Sequence, residues 1–360
     1  MKGFRPAPVR SIFHLQAALA AAGAALFIAS CAGCDIGAVS GRLDIMSYNV
    51  ENLFDDVHDG TEYREFDPQL GEWSTELFHL KMQQIADVIR AAAPGGPDIV
   101  ALAEIENLNA LATLNETYLK GMGYQTIASE SGKTAIVVGL LSRFPVTSVR
   151  AHHASEQTFG SAGEQPRDIL EARLDCNGAP LVIFVNHWKS KIGGAEATEA
   201  SRRACAGIIA RRAAEILAAE PSVDIVVAGD LNENWDEHLR TQDAYPTALM
   251  PAEACEGGCL ALAGDRGIMR SAGRSVVFYS PWMEGTFPGS YCLAGQWESI
   301  DHTLLAATLF DGEGLEYGSF EVFRPNFLLK ADGAPRGFSA TSRSGYSDHL
   351  PILLHLSRKR

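Results

Sequence analysis

The stretch VDIVVAGDLNEN, residues 223–234, starts apolar and ends polar. Asp224–Ala228 is a β-branched run of strand length, and the glycine after it is followed by Asp230 and Asn232. A run of this kind reads as a buried strand. Polar residues at its tip stand where a rigid scaffold presents chemistry, or else form an ordinary Asx turn. Five other segments repeat the pattern. IMSYNVEN (45–52) runs into Asn49 and Glu51, PDIVALAEIEN (97–107) into Glu104, and LVIFVNHWKSK (181–191) into Asn186, His187 and Lys189. ESIDHTLL (298–305) carries Asp301 and His302 inside a strand, and YSDHLPI (346–352) sets Asp348 and His349 at a strand entrance.

The remaining pattern fills in the class. Strands are expected at Leu43–Tyr48, Asp98–Ala103, Ala135–Leu141, Leu170–Leu174, Leu181–Val185, Asp224–Ala228, Ser299–Leu305 and Leu350–Leu356. Phe78, Met82, Ile85 and Ile89 recur at helical spacing in Ser74–Ala92, before Pro94. Cys205, Ile208, Ile209, Ala213 and Ile216 do so in Thr198–Ala219, before Pro221. Each helix leads into a strand, which implies an α/β protein with sheet inside and helices outside. Residues 55–73 and 233–297 are irregular, polar or Gly/Pro-rich, and long enough to be functional loops.

With 360 residues and 46% hydrophobic content the chain can build a large core. Lys2, Arg5 and Arg10 followed by the apolar run Ala17–Ser30 read as an export signal, too short for a membrane-spanning helix. The run ends in IASC (28–31), which resembles a bacterial lipobox and implies cleavage before Cys31, lipidation of its thiol and a membrane anchor. Ordinary secretion is the alternative. The expected organisation is therefore a signal over 1–30, a tether over 31–40 and one domain over 41–360. Export permits disulfides. A staple is expected among Cys255, Cys259 and Cys292, with its connectivity open; no zinc pattern surrounds them. The formal charge of −14 becomes −17 without residues 1–30. So acidic a body argues against non-specific clinging to nucleic acid, but not against a phosphate enzyme working through a cation.

Carboxylates and amides at strand tips are hard oxygen donors, suited to Mg²⁺, Mn²⁺ or Ca²⁺. Histidines beside acids suit proton transfer or charge stabilisation. A phosphoester hydrolase needs both sets together.

Taken in order, SYNVENLFD, PDIVALAEIEN, LLSRFPV, VNHWKSK, GDLNEN, SIDHTLL and SDHLPI resemble the endonuclease/exonuclease/phosphatase superfamily, the deoxyribonuclease I-like fold. They span residues 44–356, and YNVENLFD with NHWKSK resembles its exported bacterial nuclease-like branch. The resemblance implies a four-layered α/β sandwich, two packed mixed sheets flanked by helices, with the site at one end. It implies Glu104 as main metal ligand, with Asn49 and Asp348 beside the metal and Glu51 near it. Asp230 would activate or orient water and Asn232 would hold water or phosphate. Asp301 would pair with His349, and His187 would be the second imidazole. Arg167 in QPRDILEARL would contact phosphate. One departure stands out: where deoxyribonuclease I has a glutamate partner for the first histidine, SGKTAIVVGLLSR offers Lys133, so His187 is expected to donate to phosphate without acting as an acid. His302 should point to the other face and serve structure.

Three functions are compatible with these residues: an exported nuclease on DNA or RNA, a phosphatase or phospholipase-type phosphodiesterase on inositol phosphates or sphingolipids, and a non-catalytic surface lipoprotein. A monomer is expected. Lys189, Lys191, Arg202 and Arg203 offer phosphate contacts or a solvated helix face. Trp188, Trp235 and Trp297 offer base stacking or core packing.

Overall fold

The computed structural model describes residues 41–71, 73–129, 134–153, 167–273 and 276–359. The expected signal over 1–30, the expected tether with Cys31, and Lys133 lie outside them. Two mixed sheets dominate. The first is built from β1 (Arg42–Leu53), β2 (Ile99–Ile105), β3 (Gln125–Ala128), β4 (Val137–Ser142), β15 (Leu315–Val322) and β16 (Ile352–Arg358), in the order β15-β16-β1-β2-β4-β3. The second contains β5 (Val146–His152), β6 (Ile169–Cys176), β7 (Ala179–His187), β8 (Asp224–Asp230), β9 (Leu249–Pro251), β10 (Leu260–Ala263), β11 (Val277–Tyr279) and β14 (Asp301–Ala306), in the order β5-β6-β7-β8-β14-β11-β10-β9. A hairpin, β12 (Tyr291–Leu293) with β13 (Gln296–Glu298), stands apart from both.

The sheets pack face to face, β1 lying against β8 and β14, and β2 against β7 and β8. Helix α1 (Thr75–Ala92) covers the first sheet, capped by Ser74, whose Oγ accepts Leu77 N–H at 3.3 Å. The short α2 (Leu108–Thr113) follows β2, with Asn107 as its cap. Helix α3 (Ala195–Ala219) covers the second sheet. These are four layers, helix–sheet–sheet–helix.

Strand alternation decides which side chains reach the site. Val226 and Ala228 of β8, Ile183 and Val185 of β7 and Leu305 of β14 enter the inter-sheet core. Ile225, Val227, Val182, Phe184 and Leu304 instead pack with Cys205 and Ile209 of α3. Continuing the inner parity brings Asp230, His187 and Asp301 to the inter-sheet side. His302 falls on the outer parity, fully buried, with Nε2 2.8 Å from the Glu233 carbonyl.

Arg202 is neither a phosphate contact nor part of a solvated face: it is fully buried. Its guanidinium donates to Glu199 at 2.6 Å, to Glu233 at 2.8 Å and to the carbonyls of Lys189 and Ala195. Glu233 in turn accepts Ala248 N–H at 2.7 Å, so the pair ties α3 to the segment after β8. Lys191 pairs with Glu237 at 2.6 Å and Glu298 at 3.2 Å, and Arg203 donates to the Gly257 carbonyl. The staple proves to be Cys255–Cys259. No helix among the described residues is long and apolar enough to cross a membrane.

Candidate active site

Register assembles the first half of the site. β7 pairs with β8 so that His187 lies opposite Asp230, and β8 pairs with β14 so that Asp230 lies opposite Asp301. Three strands therefore end in a row of imidazole, carboxylate and carboxylate. Gly229 permits the close approach: it sits at φ +130°, and a Cβ there would lie 2.1 Å from the Asn186 carbonyl oxygen.

The second half comes from the facing sheet. Asn49 ends the regular part of β1, and its Nδ2 donates to Glu104 Oε1 and to Asp230 Oδ2, both at 3.0 Å. Its Oδ1 accepts Glu51 N–H at 3.0 Å. Asn49 thus spaces two carboxylates and bridges the two sheets. Glu104 Oε2 accepts Asn52 N–H at 3.0 Å. Backbone strain concentrates here, since Glu51, Asn52, Glu104 and Asn232 all have φ between +50° and +64°. Each such non-glycine residue costs on the order of 1 kcal/mol, and such costs gather at functional positions.

The chain's last segment closes the site. Ser347 Oγ donates to the Asn49 carbonyl at 2.7 Å and accepts His349 N–H at 3.1 Å. His349 Nδ1 lies 2.7 Å from Asp301 Oδ2, which also accepts Ser290 Oγ–H at 2.6 Å. The ring of Tyr291 packs on His349 with centroids 4.7 Å apart. His349 Nε2 faces Asp230 Oδ2 at 3.9 Å and Asp348 Oδ1 at 4.0 Å. Burial works against charge on His349, but Asp301, Asp348 and Asp230 outweigh it and raise its pKa well above the ordinary imidazole value.

His187 is the opposite case. Burial, then the charges of Arg167 and His349, hold its pKa well below the ordinary value. Its Nε2 is 3.6 Å from Glu104 Oε1 and 3.8 Å from Asp230 Oδ2, while its Nδ1 is buried without a partner. Among the described residues no acid hydrogen-bonds its Nδ1, and it stands as a neutral imidazole. Two histidines at one site thus take different charge states.

Residues 44–245 match the Endonuclease/Exonuclease/phosphatase family. The chain belongs to this family. Its solved neighbours agree in fold. The Caenorhabditis elegans TDP2 structure superposes with a TM-score of 0.52 at 15% identity, covering 88% of this chain and 74% of that one. A humanized D. rerio TDP2 gives 0.52 at 14% identity, with 88% and 100% covered. An endonuclease/exonuclease/phosphatase family protein from Bacteroides thetaiotaomicron gives 0.53 at 14%, with 88% and 95% covered. No curated protein matches the chain.

Members of the endonuclease/exonuclease/phosphatase family are metal-dependent phosphoesterases, and this chain is one. Its donors fit a hard divalent cation. Glu104, His187 and Asp230 bring one ligand atom each within 4.8 Å of one another, as do Asp230, Asp301 and His349. Burial and then the Asp301 charge push the Asp230 carboxyl up to about 7, against the pull of His349, so a cation beside it would relieve a real electrostatic cost.

The other expected site residues divide. Asn232 donates Nδ2 to the Trp188 carbonyl at 3.2 Å, and Arg167 donates to the same oxygen at 3.3 Å, so both stand at the His187 side. Asp348 leaves its carboxylate 46% exposed at the rim, outside the two convergent groups, and ties its own N–H to Glu51 Oε2 at 3.0 Å. Lys189 is partly buried beyond β7. Trp188 is 1% exposed and packs in the core, its Nε1 donating to Asn186 Oδ1, so it offers no stacking face.

Sequence reasoning missed three contributors. Ser290 and Tyr291 come from the hairpin strand β12 and the residue before it. Lys81, on α1, is fully buried, donates to the Tyr346 carbonyl at 2.8 Å and sits over the Phe338 ring at 4.6 Å. Burial lowers its pKa to about 8, opposed by Glu51, Asp348 and Glu104. Glu51 accepts Phe338 N–H at 2.6 Å as well as Asp348 N–H, so Lys81 and Glu51 each hold the segment that delivers His349. The one available signal was a lysine at position i−1 to Met82, inside the apolar stripe of α1.

Proposed function

We propose that this phosphoesterase is an exported, lipid-anchored nuclease that hydrolyses phosphodiester bonds of DNA or RNA with Mg²⁺ or Mn²⁺. The observation that carries the reading is the meeting of Glu104 and Asn49 from one sheet with His187, Asp230 and Asp301 of the other, closed by His349 from the segment that leads into β16. When bound near Glu104, the cation would polarise a phosphate oxygen and offset developing charge. Asp230, held by Asn49 and by Asn232 N–H at 2.8 Å, is placed to orient and deprotonate the attacking water. His349, kept protonated by Asp301, donates to the phosphate from the other side, and neutral His187 adds an N–H donor. Arg167 and Asn232 flank the position a phosphate oxygen would take. Nucleic acid as substrate is supported by the family's activities and by the resemblance of YNVENLFD and NHWKSK to exported nucleases.

The test is a parallel assay of DNA, RNA, sphingomyelin and inositol phosphates. Cleavage of nucleic acid, abolished by EDTA and restored by Mg²⁺ or Mn²⁺, is expected. Phosphate release from lipid or inositol substrates with nucleic acid untouched reverses the substrate assignment. Turnover that survives chelation overturns the mechanism.

The anchor rests on the basic start, the apolar run and IASC, and a disulfide between Cys255 and Cys259 suits an oxidising compartment. Cells expressing the chain should incorporate labelled fatty acid into it, and Cys31→Ser should end that labelling. Labelling that persists in Cys31→Ser moves the acceptor elsewhere, and no labelling at all leaves ordinary secretion.

A further inference from the structure

The loop joining β1 to α1 takes no part in the site above, yet it carries Asp59 and Glu62 to Glu106, the residue just after β2. One carboxylate oxygen from each lies within 4.8 Å of the others. Acidic clusters are common on surfaces; Glu106 makes this one different. It is 4% exposed, its Oε2 accepts Asp55 N–H at 2.7 Å, and its Oε1 is buried with no partner. The neighbouring Asp55 carboxylate is fully partnered by contrast. Its Oδ1 accepts Val57 N–H at 2.8 Å, and its Oδ2 accepts Asn109 Nδ2 at 2.9 Å and Asn107 Nδ2 at 3.2 Å. Buried carboxylate oxygens are hydrogen-bonded, paired or metal-bound, and Glu106 Oε1 lacks the first two.

Glu62 adds to the demand for a cation. Its side chain is 2% exposed, and it accepts Gly60 N–H at 2.7 Å and Asp59 N–H. Among the described residues, the basic side chain reaching the cluster is His58, 3.6 Å from Glu62 and closer, at 3.1 Å, to Asp67. The loop is held in place from beneath. Trp73 Nε1 donates to the Asp55 carbonyl at 2.9 Å, and Phe66 stacks on Phe54 with centroids 4.7 Å apart. The cluster is therefore presented on a fixed frame.

We infer that Asp59, Glu62 and Glu106 form a calcium site, separate from the Glu104–Asp230 centre, that pins the β1–α1 loop to the end of β2. All three donors are hard oxygens. Calcium accepts six to eight of them at about 2.3–2.6 Å in flexible geometry, which suits carboxylates brought by a loop and a strand end. Magnesium demands a near-ideal octahedron at about 2.0–2.1 Å and keeps several waters, so it is less often held by a cluster of protein carboxylates. The cluster shares no residue with either group of candidate ligands at the catalytic centre.

The test measures calcium binding, not turnover. The full chain carrying Glu104→Gln, which disables the catalytic centre, is titrated with Ca²⁺ by calorimetry and with Tb³⁺ under tryptophan excitation, Trp73 being the near antenna. One saturable Ca²⁺ site is expected, with Tb³⁺ emission displaced by Ca²⁺. Adding Glu62→Gln and Glu106→Gln should remove both signals. Asp59→Asn, on the exposed part of the loop, should weaken Ca²⁺ binding about tenfold or more, as loss of one charged ligand does. That single variant decides the matter if the multiple variant fails to fold. No saturable site in Glu104→Gln, or affinity unchanged in Asp59→Asn, overturns the inference.

Discussion

His349→Ala is expected to lower kcat by about 10³–10⁴-fold with metal binding unchanged, and Asp301→Asn to come close to the same loss. Both follow from one contact. The 2.7 Å bond from Asp301 to Nδ1 fixes the ring, directs Nε2 toward Asp230 and the substrate side, and keeps the imidazole charged. Asn in place of Asp retains the size but withdraws the charge. The pH dependence gives a second readout. The folded pKa of His349 lies above its unfolded value of about 6.5. The stabilisation from the dyad is therefore fully present below about pH 6.5 and is lost as pH rises through the folded value. Asp301→Asn should be less stable than wild type at mildly acidic pH, and the gap should close on the alkaline side. An NMR titration of the His349 ring should show its pKa falling in Asp301→Asn. Near-wild-type turnover in His349→Ala would remove this residue from the reaction.

The prediction rests on residues that were readable one by one, though the contacts between them were not. Apolar runs located the central strands because both faces of those strands are buried: β8 is buried along its whole length. Ser74 and Pro94 bracketed α1 for reasons of capping and missing N–H groups. Edge strands were invisible. β5 alternates half-exposed residues, and β15 is interrupted by a bulge between Tyr317 and Ser319, so neither shows an apolar run. The last strand was expected from Leu350 but begins at Ile352, because Pro351 has no N–H for the ladder. Glu104, His187, Asp230, Asp301 and His349 announced themselves as polar tips on apolar strands. Ser290 and Tyr291 could not, since they reach Asp301 and His349 only through the turn of a hairpin within 233–297. Lys81 offered only its place in the apolar stripe of α1, and its burial is a tertiary fact. Arg202 misled for the same reason: on α3 its charge is satisfied by Glu199 and Glu233, and the latter lies 31 positions away.

Ending the chain at Pro351 should unfold the protein outright, although Asp348 and His349 are both retained. β16 is an interior strand, paired antiparallel with β1 from Arg42↔Ser357 to Ser47↔Ile352 and with β15 on its other side. Ile352, Leu353, Leu354 and Leu356 are at most 1% exposed. Truncating one such side chain costs about 2–5 kcal/mol. Four together match or exceed the whole stability of a typical domain, about 5–15 kcal/mol, before counting the ladder bonds stripped from β1 and β15. Circular dichroism and limited proteolysis should report a largely unfolded chain. Ending at Arg358 instead should leave melting within a degree or two, because Lys359 contributes a single backbone bond to the Gly314 carbonyl. The contrast bears on mechanism as well as on stability. Ser347 Oγ on the Asn49 carbonyl and Asp348 N–H on Glu51 hold the segment that leads into this strand. Delivery of His349 to Asp301 is therefore expected to depend on β16, and the Pro351 truncation should carry no hydrolytic activity. A Pro351 truncation that kept a wild-type melting curve would refute this dependence.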